Sequence, residues 1–282
     1  MVRIMQTPPQ LTDRLALNRN RSRALRAPAL FLHDEAAIEI KERLSEVNRT
    51  FTSPAVVTGF PDFWRKVMPK AQIVFDAEVL DLTENTHDLV IHAMSLHWAN
   101  DPVGQLVQCR RALQPDGLFL GMMFGGQTLA QLRSSLAEAE ALVSGGLSPR
   151  VLPMGEIRDL GGLLQRAGFA LPVADSLLQT VRYRDLLHLM ADLRAMGETN
   201  ALNLRLRHPT RRSVFTKAGQ IYQDTFKDID GRIPATFELI CLTGWAPDDS
   251  QQKPLRPGSA THRLAAQLGT DETSLLQSPS DG

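Results

Sequence analysis

The 282-residue chain has only two cysteines, Cys109 and Cys241. Their spacing suits neither a disulfide framework nor a metal or redox pair, so two reduced thiols in a cytoplasmic protein are expected. Net charge is absent too: 31 Lys plus Arg balance 31 Asp plus Glu. That excludes whole-molecule steering toward nucleic acid or an anionic membrane. No uninterrupted apolar run is long enough to cross a bilayer. The first 32 residues hold no apolar stretch of signal-peptide length. The nucleophile-elbow and phosphate-loop patterns are missing. No His, Cys, Asp and Glu set has metal-ligand spacing, so no metal is expected.

What is present suffices for a core. Hydrophobic residues make up 43% of the chain, and its length suits one large domain with extensions. Charge is uneven along it. Arg14, Arg19, Arg21, Arg23 and Arg26 crowd the N-terminus, which reads as a solvated arm able to touch nucleic acid or an acidic protein. A helix should follow, with Ala37, Ile38, Leu44 and Val47 on its apolar face. The expected division is arm and helix over 1–50, a domain over 51–248 and a polar extension over 249–282.

Within the domain, Ala55-Val56-Val57 reads as a buried strand ending in the turn Thr58-Gly59. A short helix over 60–67 and a second strand over 72–75 come next. Asp88 to Met94 is mostly apolar and reads as a third strand; such near-continuous apolar runs suit a parallel sheet covered on both faces. Asp101 can cap a helix and Pro102 can open it. The turn Gln114-Pro115-Asp116-Gly117 then leads to a strand over 118–124, completing one right-handed crossover. Leu129, Leu132, Leu136, Ala139 and Val143 share one face of a longer helix. Later helices are expected over 156–167, closed by Gly168, over 185–196, and from a Thr210 cap to Phe226. The strand over 236–245 should run antiparallel, at or next to the sheet's edge.

Asp88-Leu89-Val90, Leu96-His97-Trp98-Ala99-Asn100-Asp101 and Arg111-Ala112-Leu113-Gln114-Pro115-Asp116-Gly117 together resemble the class I S-adenosylmethionine-dependent methyltransferases. Further words are similar to one branch of that family. They include Met123-Phe124-Gly125-Gly126-Gln127-Thr128-Leu129, Arg166-Ala167-Gly168-Phe169, Leu193-Arg194-Ala195-Met196-Gly197-Glu198-Thr199-Asn200, and Gln251-Gln252-Lys253-Pro254. That branch contains the methyltransferase-like assembly factors of respiratory complex I. The malonyl carrier-protein methyltransferase of biotin synthesis is its neighbour. The resemblance covers residues 30–262. It implies an α/β fold with a doubly wound, mostly parallel, Rossmann-like sheet, a protein partner, and S-adenosylmethionine as cofactor. Branch members are associated with arginine hydroxylation rather than methylation.

Residue by residue, the cofactor motif is reduced. A methyl-donor site needs a glycine-rich turn for close approach of the backbone and a strand-end carboxylate for the ribose. The turn here keeps only Gly59, lacks the family's acid, and carries Phe60-Pro61 where the family has small residues. The distance from Gly59 to Asp88 leaves one helix-strand step too few. The remaining candidates for the cofactor are Gly59, Asp76 and Ala77. Asp76 fits either the adenine-side acid or a replacement for the ribose acid, and equally a strand-end acid facing water. His97 and Trp98 are the substrate-side candidates, His97 as a base or a polar contact and Trp98 as a stacking platform or core residue. Weak or absent binding of S-adenosylmethionine is therefore expected. Three functions stay open: an enzyme modifying a protein side chain, a non-catalytic binding module or assembly chaperone, and a small-molecule or carrier-protein methyltransferase. The stretch 250–260, polar yet similar to the branch, is expected to pack back over the sheet end.

Overall fold

A computed structural model describes residues 10–251 of the chain. The chain divides after Asp248 into a body and a C-terminal unit. Of that unit only 249–251 are described, so the expected docking of 250–260 lies almost wholly outside the described residues.

Among the described residues the body is built on six strands: β1 (Pro54–Thr58), β2 (Gln72–Phe75), β3 (His87–Ala93), β4 (Leu113–Phe124), β5 (Ala170–Tyr183) and β6 (Ile233–Trp245). They lie in the order β2-β1-β3-β4-β6-β5. Val56 sits opposite Ile73 of β2 and Ile91 of β3, and Ile91 opposite Leu120 of β4, all in parallel register. β6 is the one strand running against its neighbours, with Ile240 opposite Met123 on one side and Ser176 on the other. β1 and β3 are buried at every position, as their near-continuous apolar sequences require. β2, with one buried residue in four, forms an edge. β1 is followed by the short helix α3 (Pro61–Val67) and then β2, after which the chain crosses directly to β3. The expected shortfall of one helix-strand step is what the sheet shows.

Local signals account for the helix starts. The helix α4 (Pro102–Ala112) begins where Asp101 accepts from the Gly104 amide at 2.8 Å with Pro102 in its first turn, a capped and pre-set start. The helix α5 (Ala130–Ser144) ends on Gly145 at φ +69°, the left-handed conformation glycine adopts freely. α6 (Ile157–Arg166), α7 (Leu186–Ala195) and α8 (Arg212–Phe226) complete the C-terminal half. Thr210 does not cap α8, whose cap position is Arg211; its hydroxyl instead accepts from Arg150 Nη1 at 2.9 Å.

The N-terminal expectations change most. The arginine-rich stretch is helix α1 (Arg14–Ala24), capped by Asp13, and is no solvated arm. Leu17, Arg21 and Ala24 recur at helical spacing and are buried. Next comes α2 (Phe31–Glu46), whose inward face is Leu32, Ala36, Ala37 and Ile40. Leu44 and Val47 reach that core only partly, while Ile38 is 53% exposed. Ile38 stands two residues from both Ala36 and Ile40, about two hundred degrees round the helix from each, so it points away from that face.

Candidate functional site

In a doubly wound sheet, ligands sit at the carboxyl ends of the parallel strands, where the order reverses. Here that rim is formed by Gly59 after β1, Asp76 after β2, the short turn Leu96–Trp98 after β3 and Gly125 after β4. β2 pairs directly with β1, so Asp76 stands on the strand beside the Gly59 turn.

Asp76 is 1% exposed and does not face water. Its two carboxylate oxygens accept from Arg21 Nη1 at 2.7 and 2.9 Å. Arg14 adds a 3.4 Å contact to the carboxylate and a bond to the Asp76 carbonyl. The Arg21 guanidinium also lies 5.9 Å from the Phe60 ring centre. A Cβ placed on Gly59 would fall 2.2 Å from Arg21 Cζ. The space that a glycine turn leaves for a ligand is thus held by this side chain. Gly197, at φ +79°, packs on the stem of the same side chain: a Cβ there would fall 2.9 Å from Phe60 and 3.2 Å from Arg21 Cγ. Ala77 is exposed, and its carbonyl accepts from Gln105 Nε2 at 2.9 Å. S-adenosylmethionine does not fit these residues as they stand. The carboxylate it would use already accepts from Arg21 on both oxygens, and its approach to Gly59 is filled by that side chain.

His97 and Trp98 are brought together with a residue that sequence reasoning missed, Glu198. Trp98 Nε1 donates to Glu198 Oε2 at 2.7 Å, and His97 Nε2 lies 3.4 Å from the same oxygen. The His97 ring also packs 4.8 Å from Phe124. Burial pushes the Glu198 carboxyl upward, but His97, the Arg21 charge and the Trp98 N–H together hold it below its usual range. Glu198 Oε1 has no hydrogen bond among the described residues. Beside this group opens a cavity of about 210 Å³, walled mainly by apolar residues such as Trp98, Phe124, Leu132, Met190 and Phe237. Glu198 supplies a carboxylate to its wall, and Arg194 and Arg150 stand along it as well. Arg150 is engaged by Glu140 at 2.6 and 2.9 Å. Glu198 lies within a word shared with the branch, but nothing local marks an acid there as buried. Its partners are 100 and 101 positions away.

Six strands in this order, with one antiparallel member, define the class I methyltransferase sheet reduced by one step. A methyltransferase-domain family profile matches residues 29–121. The mitochondrial arginine-hydroxylase NDUFAF5 of Danio rerio is 40% identical over 229 residues, covering 80% of this chain and 71% of that protein. Its Mus musculus counterpart is 42% identical over 194 residues, 69% of this chain but only 56% of the relative's length. A malonyl-[acyl-carrier protein] O-methyltransferase of Xylella fastidiosa is 35% identical over 64% of this chain and 58% of its own length. Among solved structures, the YcgJ protein of Bacillus subtilis aligns with a TM-score of 0.47 at 12% identity, over 76% of this chain and 99% of that one. The chain belongs to the class I S-adenosylmethionine-dependent methyltransferase family, in the branch that holds the NDUFAF5 arginine hydroxylases.

Proposed function

We propose that this chain engages an arginine-bearing segment of a protein partner, to modify or shelter it during respiratory complex I maturation, and that the cavity beside Glu198 receives that side chain. The observation that carries this reading is the carboxylate on an apolar wall. An arginine side chain is an apolar stem ending in a flat cation, and a carboxylate is the acceptor its donor fork matches. Trp98 holds Glu198 at one oxygen, which leaves the other for a ligand. The names of the NDUFAF5 relatives, arginine hydroxylases, support the same substrate chemistry. This role for Glu198, His97 and Trp98 is to bind and orient, and it does not require S-adenosylmethionine.

A second reading, a binding module without catalysis, draws on the filled cleft at Gly59 and Asp76. Both readings need the arginine to bind. Short peptides carrying a central arginine, titrated by calorimetry, should bind at least ten-fold more tightly than their citrulline counterparts. Glu198→Gln should erase that preference, since one charge-assisted hydrogen bond is worth about 1.5–3 kcal/mol. Equal affinity for arginine and citrulline would reject the reading. Methylation of a small molecule or carrier protein by the purified chain would favour the carrier-protein alternative instead.

A further inference from the structure

The cleft at the carboxyl ends of β1 and β2 is built around a guanidinium. We infer that its resident ligand is the chain's own Arg21, which has taken the place of a nucleoside cofactor. Four features of the cleft agree. The carboxylate of Asp76 accepts Arg21 Nη1 on both oxygens. Gly59 lies against the Arg21 guanidinium and Gly197 against its stem, and a side chain on either would collide with the arginine or with Phe60. The Phe60 ring lies 5.9 Å from the guanidinium carbon, within the range of a cation-π contact. Arg21 itself is 3% exposed on a helix whose other buried residues are aliphatic. A buried, unpaired arginine would be costly, so its place among Leu17 and Ala24 is sustained by Asp76.

The site is also incomplete in an informative way. Arg21 Nε and Nη2 are buried and have no acceptor among the described residues. Two donors on one edge of a fork are the geometry that binds a carboxylate or a pair of waters. A nucleoside's hydroxyls would instead have to be received by Asp76, both of whose oxygens already accept from Arg21. The cleft therefore selects a planar cation backed by α1. The cavity at Glu198 has a different lining, and the arginine-peptide preference tested there is read separately from the rescue described next.

Chemical rescue tests the inference. Arg21→Ala leaves a guanidinium-shaped hole and should lower the thermal midpoint of the full chain. Millimolar methylguanidinium should then raise the midpoint of Arg21→Ala but not of the unaltered chain, and methylammonium should rescue less. S-adenosylhomocysteine should shift neither midpoint, and calorimetry on the unaltered chain should show no heat of binding. If Arg21→Ala does not fold, the double variant Arg21→Met/Asp76→Leu removes both charges together. That variant should recover folding, because the pair is then absent rather than broken. Binding of S-adenosylhomocysteine to the unaltered chain at micromolar concentration overturns the inference. So does a folded Arg21→Ala that ignores methylguanidinium.

Discussion

Glu140 shows how much one buried carboxylate organises. It accepts from Ser148 and from Arg150 Nε and Nη2, and Arg150 reaches on to Thr210. Those bonds fasten the loop after α5 to the start of α8, along the wall of the cavity. The Arg150 hydrogen bonds, with help from Ser148, lower the Glu140 carboxyl to about 2 from an ordinary 4.5. Glu140→Gln should cost about 2 kcal/mol at pH 7, the range of charge-assisted hydrogen bonds. The sign follows from linkage: a depressed carboxylate stabilises above its unfolded value and loses that contribution as pH falls through the folded one. The difference between the two proteins in chemical denaturation should therefore shrink between pH 4.5 and pH 2. An unchanged difference at pH 2.5 would show that the charge is not what holds the loop. Asp88 is a second such anchor. Burial would raise its carboxyl, but hydrogen bonds from the Thr52 and Ser53 amides and the Thr52 hydroxyl hold it low. They fix the chain's entry into β1.

At the level of elements, α1 and α2 are part of the core rather than an appendage to it. Leu17, Leu32 and Ile40 are essentially fully buried, each worth about 1.5–3 kcal/mol. Their sum approaches the whole stability of an ordinary domain, about 5–15 kcal/mol. A chain starting at residue 51 should accordingly lose cooperative unfolding, and a sharp calorimetric transition from it would refute this. The strands and α4 were legible in sequence because their signals are local: an apolar run, a capping Asp101, a Pro102. α1 was not. Its arginines read as a solvated charge run, and the acid that buries one of them is 55 positions away. The one local hint was Leu17, Arg21 and Ala24 at helical spacing, an arginine on an otherwise apolar stripe. Asp76 was legible as a strand-end acid, but whether it faced water, ligand or arginine depended on which strand β2 would join. Glu198 was hidden for the same reason, since its meaning comes from His97 and Trp98 across the fold.

Taken whole, the molecule is poised to be acid-sensitive. His33, which accepts from Trp64 Nε1 at 3.1 Å, is held neutral by burial, with its pKa lowered to about 3. His92, bonded to Gln105 at 2.8 Å, is likewise lowered by burial, to about 4. Both imidazoles take a proton near pH 6.5 only when the chain unfolds. Stability is thus intact above that pH and falls by about 1.4 kcal/mol per pH unit for each histidine as pH drops toward 4. His92→Gln should roughly halve the slope of unfolding free energy against pH between 6 and 5, and an unchanged slope would reject this account. Another consequence follows from the order in which the chain is made. Thr12 bridges to Leu202, the Asp13 amide donates to the Ala201 carbonyl, and Gly197 closes over Arg21. A ribosome delivers the N-terminus first, so α1 emerges long before the residues that seal it. The β1–β3 rim can form around residue 93 with its lid still unsynthesised. For that interval Arg21 can seat on Asp76 uncovered, and Gly197, just past the end of α7, closes over it last.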